Sequence, residues 1–498
     1  MFRGNAASTR GFVLLAGALA LGLPLAASAR SAADKALEER LMEHIEVLAS
    51  DSFQGREPGT PGEAKTLKYL GRQWFDIGLV SGTNDPANPW FAPVTLVARE
   101  PAVSKAQFSV RGHRFYVKPD DVLVLTSGTR SLVRNAPVVF VGTGKGREYS
   151  RAELAGRIAL LLDGDIADSE RQNALLAAGA SAVMTVLDGD RTLASVQAHR
   201  QRSGYALAED NPGGDLEAFI TRDAAAKVLK GAGTSLELLE AQSARPDFAL
   251  QNLPMAFTLE ATTSETTIRT HNLIGKLPGK RPEAGAVLLL AHWDHFGVCA
   301  ESPAEDLICN GAIDNASGVA SLTEVARRLA KGPQMERDVY FLATTAEELG
   351  LLGAHAFAEN PPLPIERIVA AFNLDSNAIA PAGSPLAIVG KGMTALDPLI
   401  AAVAKKEKRK LLTSDAANAF VRRQDGWALL QHDIPAVMVT SAYSDIARME
   451  AFFEGDYHRP SDDLERTIEL GGAAEDVAFQ VALARWFADP KKAPFLRK

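Results

Sequence analysis

The sequence of 498 residues has little cysteine, no long basic tract and few extended apolar runs. Its formal net charge is −8, and its one cluster of basic side chains, at 405–410, has the composition of a solvated helix end. We therefore expect no nucleic acid partner. The hydrophobic content of 46% is ordinary for a folded globular protein and excludes wholesale disorder. A chain of this length can hold more than one domain.

One apolar run, from Gly11 to Ala27, follows two arginines near the start of the chain. The run is shorter and more interrupted by glycine and proline than a membrane span requires, and residues 27–29 have the small side chains of a cleavage site. Residues 1–29 are predicted to be a signal peptide, with a membrane anchor as the alternative. No second long apolar stretch follows, so the mature protein, from about Arg30, is expected to be periplasmic or secreted without stable membrane association.

The two cysteines, Cys299 and Cys309, flank a short polar segment. Their spacing does not fit a CxxC zinc knuckle. Because export places the chain in an oxidising compartment, a disulfide bond that closes this loop is the favoured interpretation. Two free thiols or a shared metal ion are the alternatives.

Short, continuously apolar runs in the second half of the chain predict strands that are buried on both faces. These runs cover 286–291, 339–344, 368–374 and 436–440. Apolar residues at helical spacing lie between them, as in 317–331. The alternation predicts an α/β fold of three layers, in which a mixed, mainly parallel sheet has helices on both faces.

The stretch from 101 to 250 has a different organisation, with strand-like runs at 136–141, 158–162 and 182–187 and an alanine-rich helix at 173–180. We predict that 101–250 is a smaller inserted module, β-rich and of α/β type. The larger domain is then formed by 30–100 together with 251–498.

Residues that can bind metal ions follow the predicted strands at their carboxyl ends or lie in nearby loops. In an open parallel sheet, ligands bind at that edge. Zinc accepts imidazole nitrogen and carboxylate oxygen, and two zinc ions would need one bridging carboxylate plus separate ligands for each. A pair of ions explains the number of candidates, which are His292, Asp294, Asp314, Glu347, Glu348, Asp375 and His458.

Each candidate has a plainer explanation when it is considered alone. A His-x-Asp pair is common, and paired glutamates usually form the solvated first turn of a helix, where the helix dipole stabilises them. Their joint placement at one edge favours a functional site. Four further histidines lack this support and are interpreted as surface residues or as supports for the ligands: His271, His295, His355 and His432.

Several motifs resemble the dizinc aminopeptidase family, which also includes glutamate carboxypeptidase and glutaminyl cyclase. They are AHWDHFG at 291–297, GAIDNASG at 311–318, TAEELGLLGAH at 345–355, NLD at 373–375 and YHRPSD at 457–462, with LASDSFQGR at 48–56 and GTPG at 59–62. The insert, with VVFVG at 138–142 and AAGASA at 177–182, is similar to the protease-associated domain that such enzymes often carry. The resemblance implies the zinc exopeptidase fold.

The resemblance also implies roles for the candidate residues. It makes Asp314 the bridging ligand, His292 and Asp375 the other ligands of one zinc ion, and Glu348 and His458 those of the second. These roles imply two Zn²⁺ per chain.

Three more residues receive roles from the same resemblance. Asp294 would orient His292, and Glu347 would be the general base. Tyr457 would donate to the developing oxyanion, with a packing role as the alternative. The family pattern Arg-Ser-Asp-His is replaced here by RRQDGW at 422–427, so substrate contacts at this position are open. Arg422 and Arg423 could bind a substrate carboxylate, but solvated surface positions are the favoured interpretation.

The expected activity is hydrolysis of the amino-terminal bond of peptide substrates by an exported aminopeptidase. Three alternatives stay open. A carboxypeptidase or dipeptidase could use the same metal centre, a glutaminyl cyclase shares the fold but typically binds one zinc ion, and a catalytically silent relative could act in binding. The sequence does not indicate the preferred side chain, the role of the insert or the oligomeric state.

Overall fold

The structure is a computed structural model that describes residues 32–144, 147–164, 168–188, 191–202, 204–210 and 213–494. The predicted signal peptide, residues 1–29, lies outside the described residues. Among the helices within these ranges, none combines the length and the apolar character that a membrane crossing requires.

The strands are β1 Val80–Ser81, β2 Phe91–Val110, β3 His113–Tyr116, β4 Val122–Thr126, β5 Arg130–Gly142, β6 Ile158–Leu162, β7 Ala182–Val186, β8 Tyr205–Leu207, β9 Leu216–Ile220, β10 Gln251–Leu277, β11 Ala286–His292, β12 Gly297–Val298, β13 Ile308–Cys309, β14 Asp338–Thr344, β15 Ile368–Asn373, β16 Ala387–Val389 and β17 Ala436–Thr440. The α-helices are α1 Ala32–Leu48, α2 Pro61–Ile77, α3 Arg151–Leu154, α4 Asp168–Ala177, α5 Leu193–Arg202, α6 Arg222–Gly231, α7 Leu236–Ser243, α8 Gly318–Ala330, α9 Leu352–Glu359, α10 Asp397–Lys406, α11 Asp425–Gln431, α12 Ile446–Gly455 and α13 Leu470–Phe487.

The sheet that carries the candidate residues has the strand order β16-β17-β15-β11-β14-β10. Strands β14, β11, β15 and β17 are mutually parallel, whereas the outer strands β10 and β16 run antiparallel to their neighbours. In the register of β11 with β14, His292 lies opposite Thr344, so both strands end at the same edge. The predicted fold, a mixed and mainly parallel sheet with helices, is confirmed.

Alternate residues of β11 enter two different cores, which explains why its sequence is apolar throughout. Val287 and Leu289 pack into a cluster with side chains of α1, α2, α8 and α13. Leu288 and Leu290 pack into a second cluster with Phe357 of α9 and Leu429 of α11. A strand covered by helices on both faces needs apolar residues at every position.

A second group of strands, in the order β5-β6-β7-β9-β4, continues from the other side of β10. It has its own buried cluster, which includes Phe140, Leu160 and Met184. Strand β10 joins the two groups, because it pairs with β5 at 251–262 and with β14 at 273–277. The division of the chain into an insert at 101–250 and a larger domain stays a prediction.

Candidate metal centre

The predicted ligands converge where β11, β14 and β15 end. His292 is the last residue of β11, Glu347 and Glu348 follow β14, and Asp375 follows β15. His292 is 1% exposed and Asp375 is 5% exposed, so neither side chain is in bulk solvent. The parallel register therefore brings together the three segments that follow these strands.

Asp314 lies between the two histidines and turns one carboxylate oxygen toward each. Its Oδ1 is 3.3 Å from His292 Nε2, and its Oδ2 is 3.4 Å from His458 Nε2. On the far side of His292, Asp375 Oδ1 is 3.7 Å from the same Nε2. On the far side of His458, Glu348 Oε2 is 2.9 Å from its Nε2. The arrangement is that of two ligand sets that share one carboxylate.

The segment that carries Asp314, Ala312–Ser317, is irregular and fully buried, and it precedes α8. Asp462 holds it in place. Its Oδ1 accepts a hydrogen bond from the backbone N–H of Ile313 and its Oδ2 from that of Asp314, each at 3.0 Å, while its carbonyl accepts from the N–H of Ala312 at 2.9 Å. Burial raises the pKa of Asp462 to about 6, although these backbone donors act in the opposite direction. The sequence motifs contained Asp462, but they gave it no role.

Glu348 has a second partner that the sequence did not reveal. His295 Nδ1 lies 2.5 Å from Glu348 Oε1, and the ring is 1% exposed. Of the two interpretations left open for His295, support for a ligand fits this position. The other three histidines are only partly buried. His271 is near Glu63, and His355 Nδ1 is 3.4 Å from His432 Nε2.

Charge and burial act strongly on these groups. Burial raises the pKa of Glu347 well above that of an exposed glutamate, with the His292 ring opposing this and the Glu348 carboxylate adding to it. Burial would lower the pKa of His458, but the carboxylates of Glu348 and Asp314 outweigh it and raise that pKa to about 9. A buried carboxylate with a raised pKa is a stronger proton acceptor than an exposed one.

The donor set fits divalent zinc. Two groups of side chains can converge on an ion, namely His292 with Glu347 and Asp375, and His292 with Asp314 and Glu348. His458 Nε2 is buried and has no hydrogen-bond partner within the described ranges, despite its closeness to two carboxylates. A buried imidazole nitrogen of this kind is suited to a metal ion. Glu347 also belongs to the first group, so its carboxylate lies within reach of an ion held by His292 and Asp375.

Two tyrosines approach the candidate ligands. The ring of Tyr457 stacks on His458 with centroids 3.6 Å apart, and its phenol oxygen makes no hydrogen bond to any part of the chain that is described. Tyr443 is also buried, close to the carboxylates of Asp375 and Asp314. Burial raises the pKa of both phenols well above the usual value, and nearby carboxylates add to the effect. Both groups are therefore neutral donors at ordinary pH.

Asp425, at the start of α11, was missed by the sequence reasoning. It is fully buried, and its Oδ2 accepts a hydrogen bond from the hydroxyl of Thr344, at the end of β14. Burial raises the pKa of Asp425 to about 6, although His292 acts in the opposite direction. The available signal was the aspartate retained at this position in RRQDGW. Arg422 and Arg423 from the same segment are exposed, in agreement with the interpretation as surface residues.

A disulfide bond joins Cys299 and Cys309, with the Cα atoms 5.7 Å apart. It closes the hairpin formed by β12 and β13. The hairpin directly follows the AHWDHFG motif, so the bond lies next to a loop that carries candidate ligands.

Comparison with known proteins identifies residues 272–482 as a match to the family described as Peptidase family M28. Aminopeptidase YwaD of Bacillus subtilis (strain 168) is 26% identical over 242 residues, which cover 48% of this chain and 43% of the relative. A vacuolar membrane protease of Pyricularia oryzae is 37% identical over 91 residues, or 18% of this chain and 8% of that protein. The chain thus matches less than half the length of these curated relatives.

A solved aminopeptidase from Aneurinibacillus sp. strain AM-1 has a similar fold, with a TM-score of 0.55 at 20% identity, over 93% of this chain and 96% of that one. At this level of identity the likeness concerns the fold alone. Together the family match and the fold agree with the resemblance predicted from the motifs, and that prediction is confirmed.

Proposed function

We propose that this chain, whose residues 272–482 match peptidase family M28, is an exported zinc-dependent aminopeptidase. It would remove the amino-terminal residue from peptides. The relative named Aminopeptidase YwaD supports this choice among peptidase activities. Export through the predicted signal peptide, and a protease-associated domain at 101–250, are parts of the same proposal.

The observation that carries the proposal is the position of Asp314. Its two carboxylate oxygens face His292 and His458 at 3.3 and 3.4 Å, and each histidine has one further carboxylate beside it. Two zinc ions that share Asp314 would use His292 and Asp375 on one side and Glu348 and His458 on the other. We propose two ions because two would give each of these five side chains a metal ion to bind.

Zinc bound there would polarise the scissile carbonyl and make a water molecule acidic enough to serve as a nucleophile. Glu347, buried beside the ligands, accepts the proton of the attacking water and delivers it to the leaving amine. The hydroxyl of Tyr457 donates to the oxyanion that develops on the carbonyl.

The test is hydrolysis of a panel of amino-acid nitroanilides by purified mature protein, with matched amino-blocked versions of each. Activity is measured before chelation, after chelation, and after zinc is restored. We expect cleavage of free-amine substrates only, lost on chelation and recovered with zinc. Metal content by mass spectrometry should give two zinc ions per chain.

Other outcomes select the alternatives. Cleavage of amino-blocked dipeptides with a free carboxylate would replace the proposal with a carboxypeptidase. Conversion of amino-terminal glutamine with one zinc ion per chain would indicate a glutaminyl cyclase. Two bound zinc ions without turnover of any amino-terminal substrate would contradict aminopeptidase activity.

A further inference from the structure

A fully buried arginine lies beneath the loops that carry the candidate ligands. Arg56 ends the short 3-10 helix Asp51–Arg56 and is 1% exposed. Its guanidinium donates only to main-chain carbonyls, which are Trp293 at 2.9 Å, Leu48 at 2.9 Å, Asn310 at 2.5 Å and Gly311 at 3.0 Å. Among the described residues it has no carboxylate partner in an ion pair.

Three of these carbonyls belong to two separate ligand-bearing segments, and the fourth, that of Leu48, is at the end of α1. Trp293 stands between His292 and Asp294, while Asn310 and Gly311 immediately precede the segment of Asp314. One planar cation therefore connects the end of β11 to the Asp314 segment. A guanidinium is suited to this task because its five N–H groups lie in a fixed plane.

Arg56 and Asp462 together hold the chain from 310 to 314, where the Asp314 segment begins. Arg56 binds the carbonyls of Asn310 and Gly311, and Asp462 binds the N–H groups of Ala312, Ile313 and Asp314. The cationic guanidinium binds carbonyl oxygens, and the Asp462 carboxylate binds the N–H groups of Ile313 and Asp314, so both sets of hydrogen bonds are charge-assisted. The carboxylate of Asp314 is thereby fixed between the two histidines.

The positive charge of Arg56 lies close to the candidate carboxylate ligands. Burial lowers its pKa to about 10, while the carboxylates of Asp314 and Asp462 act in the opposite direction, so the side chain stays protonated at neutral pH. Several carboxylates close together repel one another in a site that excludes water. A permanent cation below them offsets part of this repulsion.

We propose that Arg56 is a positioning residue of the metal centre, which fixes the relative placement of His292 and Asp314. The inference rests on the metal ligands assigned in the proposed function. Arg337 provides a matched comparison, because it is also 1% exposed and donates to the carbonyls of Ala284, Phe487 and Ala493. None of these carbonyls belongs to a ligand-bearing loop.

The experiment compares Arg56→Met and Arg56→Lys with Arg337→Met and Arg337→Lys in the full mature chain. Zinc affinity is measured by competition with a chromogenic zinc chelator, folding by thermal unfolding of the metal-free protein, and kcat and KM on a nitroanilide. We expect Arg56→Met to weaken zinc binding at least tenfold and to lower kcat with little change in KM. Arg56→Lys should recover part of the affinity, whereas the Arg337 variants should lose thermal stability and keep zinc affinity within twofold.

Zinc affinity and kcat within twofold of the unaltered protein in Arg56→Met would overturn the inference. Should Arg56→Met fail to fold, Arg56→Lys decides, since a lysine cannot reach all of these carbonyls, and an unchanged affinity there would overturn it equally. Equal losses of zinc affinity in the Arg56 and Arg337 variants would show that Arg56 acts only through the general stability of the fold, which would also overturn the inference. Because zinc binding is read separately, this result stands apart from whether any nitroanilide is cleaved.

Discussion

Asp294 accepts the backbone N–H of Glu347 through Oδ1, at 3.2 Å, and that of Glu348 through Oδ2, at 3.4 Å. It is fully buried, and its carbonyl oxygen lies 3.2 Å from His292 Nδ1. One residue after β11 thus fixes both the imidazole at the end of that strand and the loop after β14. Burial raises the pKa of Asp294 to about 7, although the adjacent His292 ring acts in the opposite direction.

Replacing Asp294 by asparagine should disturb both connections. An amide offers one oxygen, so its NH₂ group would face the N–H of either Glu347 or Glu348 and leave that donor unpaired. We expect a loss of about 10- to 100-fold in zinc affinity or kcat, the usual range for residues that orient metal ligands. Asp338→Asn is the control, because Asp338 also accepts a backbone N–H, that of Gly279, away from the site. Equal effects of the two substitutions on zinc affinity would contradict this role.

The variant Glu347→Gln distinguishes between the two roles possible for Glu347, which are general base and metal ligand. If Glu347 is the base, the variant should keep both zinc ions and lose about 10²- to 10⁴-fold in kcat. Metal content and kcat are measured on the same preparation. Glu348→Gln serves for comparison, and it should lose zinc because its carboxylate lies beside His458. Loss of one zinc ion from Glu347→Gln would make this glutamate a ligand.

Tyr457→Phe tests the proposed oxyanion donor. Removal of the hydroxyl should lower kcat by about 10²-fold, in the range of other single oxyanion donors, while the stacked ring still packs on His458. The measurement is steady-state hydrolysis of the best nitroanilide. Tyr443→Phe is the matched control, because Tyr443 is a second buried tyrosine close to the candidate ligands. A larger loss of kcat in Tyr443→Phe than in Tyr457→Phe would move the role of oxyanion donor to Tyr443.

The strands that position the ligands could be predicted because their local sequence is unambiguous. β11 and β15 are short and apolar throughout, a pattern that requires cover on both faces, and the parallel register then brings their ends together. His292 and Asp375 follow from this directly. The pairing of these residues with particular ions came from the family resemblance and remains a proposal.

The long strands β2 and β10 could not be predicted in the same way. β10 contains the run Thr262–Ile268, in which threonine, serine and glutamate replace the apolar residues of a buried strand, and most of this run is exposed. Its partner β2 is distant in sequence, so no local signal fixes the register. Arg56 and Asp425 were missed for a related reason, since only the folded chain brings them beneath or beside the ligands.

Glu324 provides a prediction for stability that is independent of the metal ions. The carboxylate lies on α8, away from solvent, and pairs with Arg40 at 2.8 Å and Arg327 at 2.7 Å. Burial would raise its pKa, but the hydrogen bonds from His44, Arg40 and Arg327 outweigh it and lower the pKa from 4.5 to about 2. A depressed pKa means that the ion pairs stabilise the fold above pH 4.5, and that this stabilisation is lost as the pH falls toward 2.

Glu324→Gln should therefore lower the thermal midpoint by about 3 °C at pH 7, which corresponds to about 2 kcal/mol once solvent screening is allowed for. The difference from the unaltered protein should shrink at pH 3, where the glutamate in the unfolded chain is already protonated. Both proteins are compared as metal-free samples, so that acid release of zinc does not contribute. Glu336→Gln, at an exposed pair with Lys280 and Arg281, is the control and should change the midpoint much less. A deficit in Glu324→Gln that is the same at pH 7 and pH 3 would show that the loss comes from packing rather than from the charge of this carboxylate.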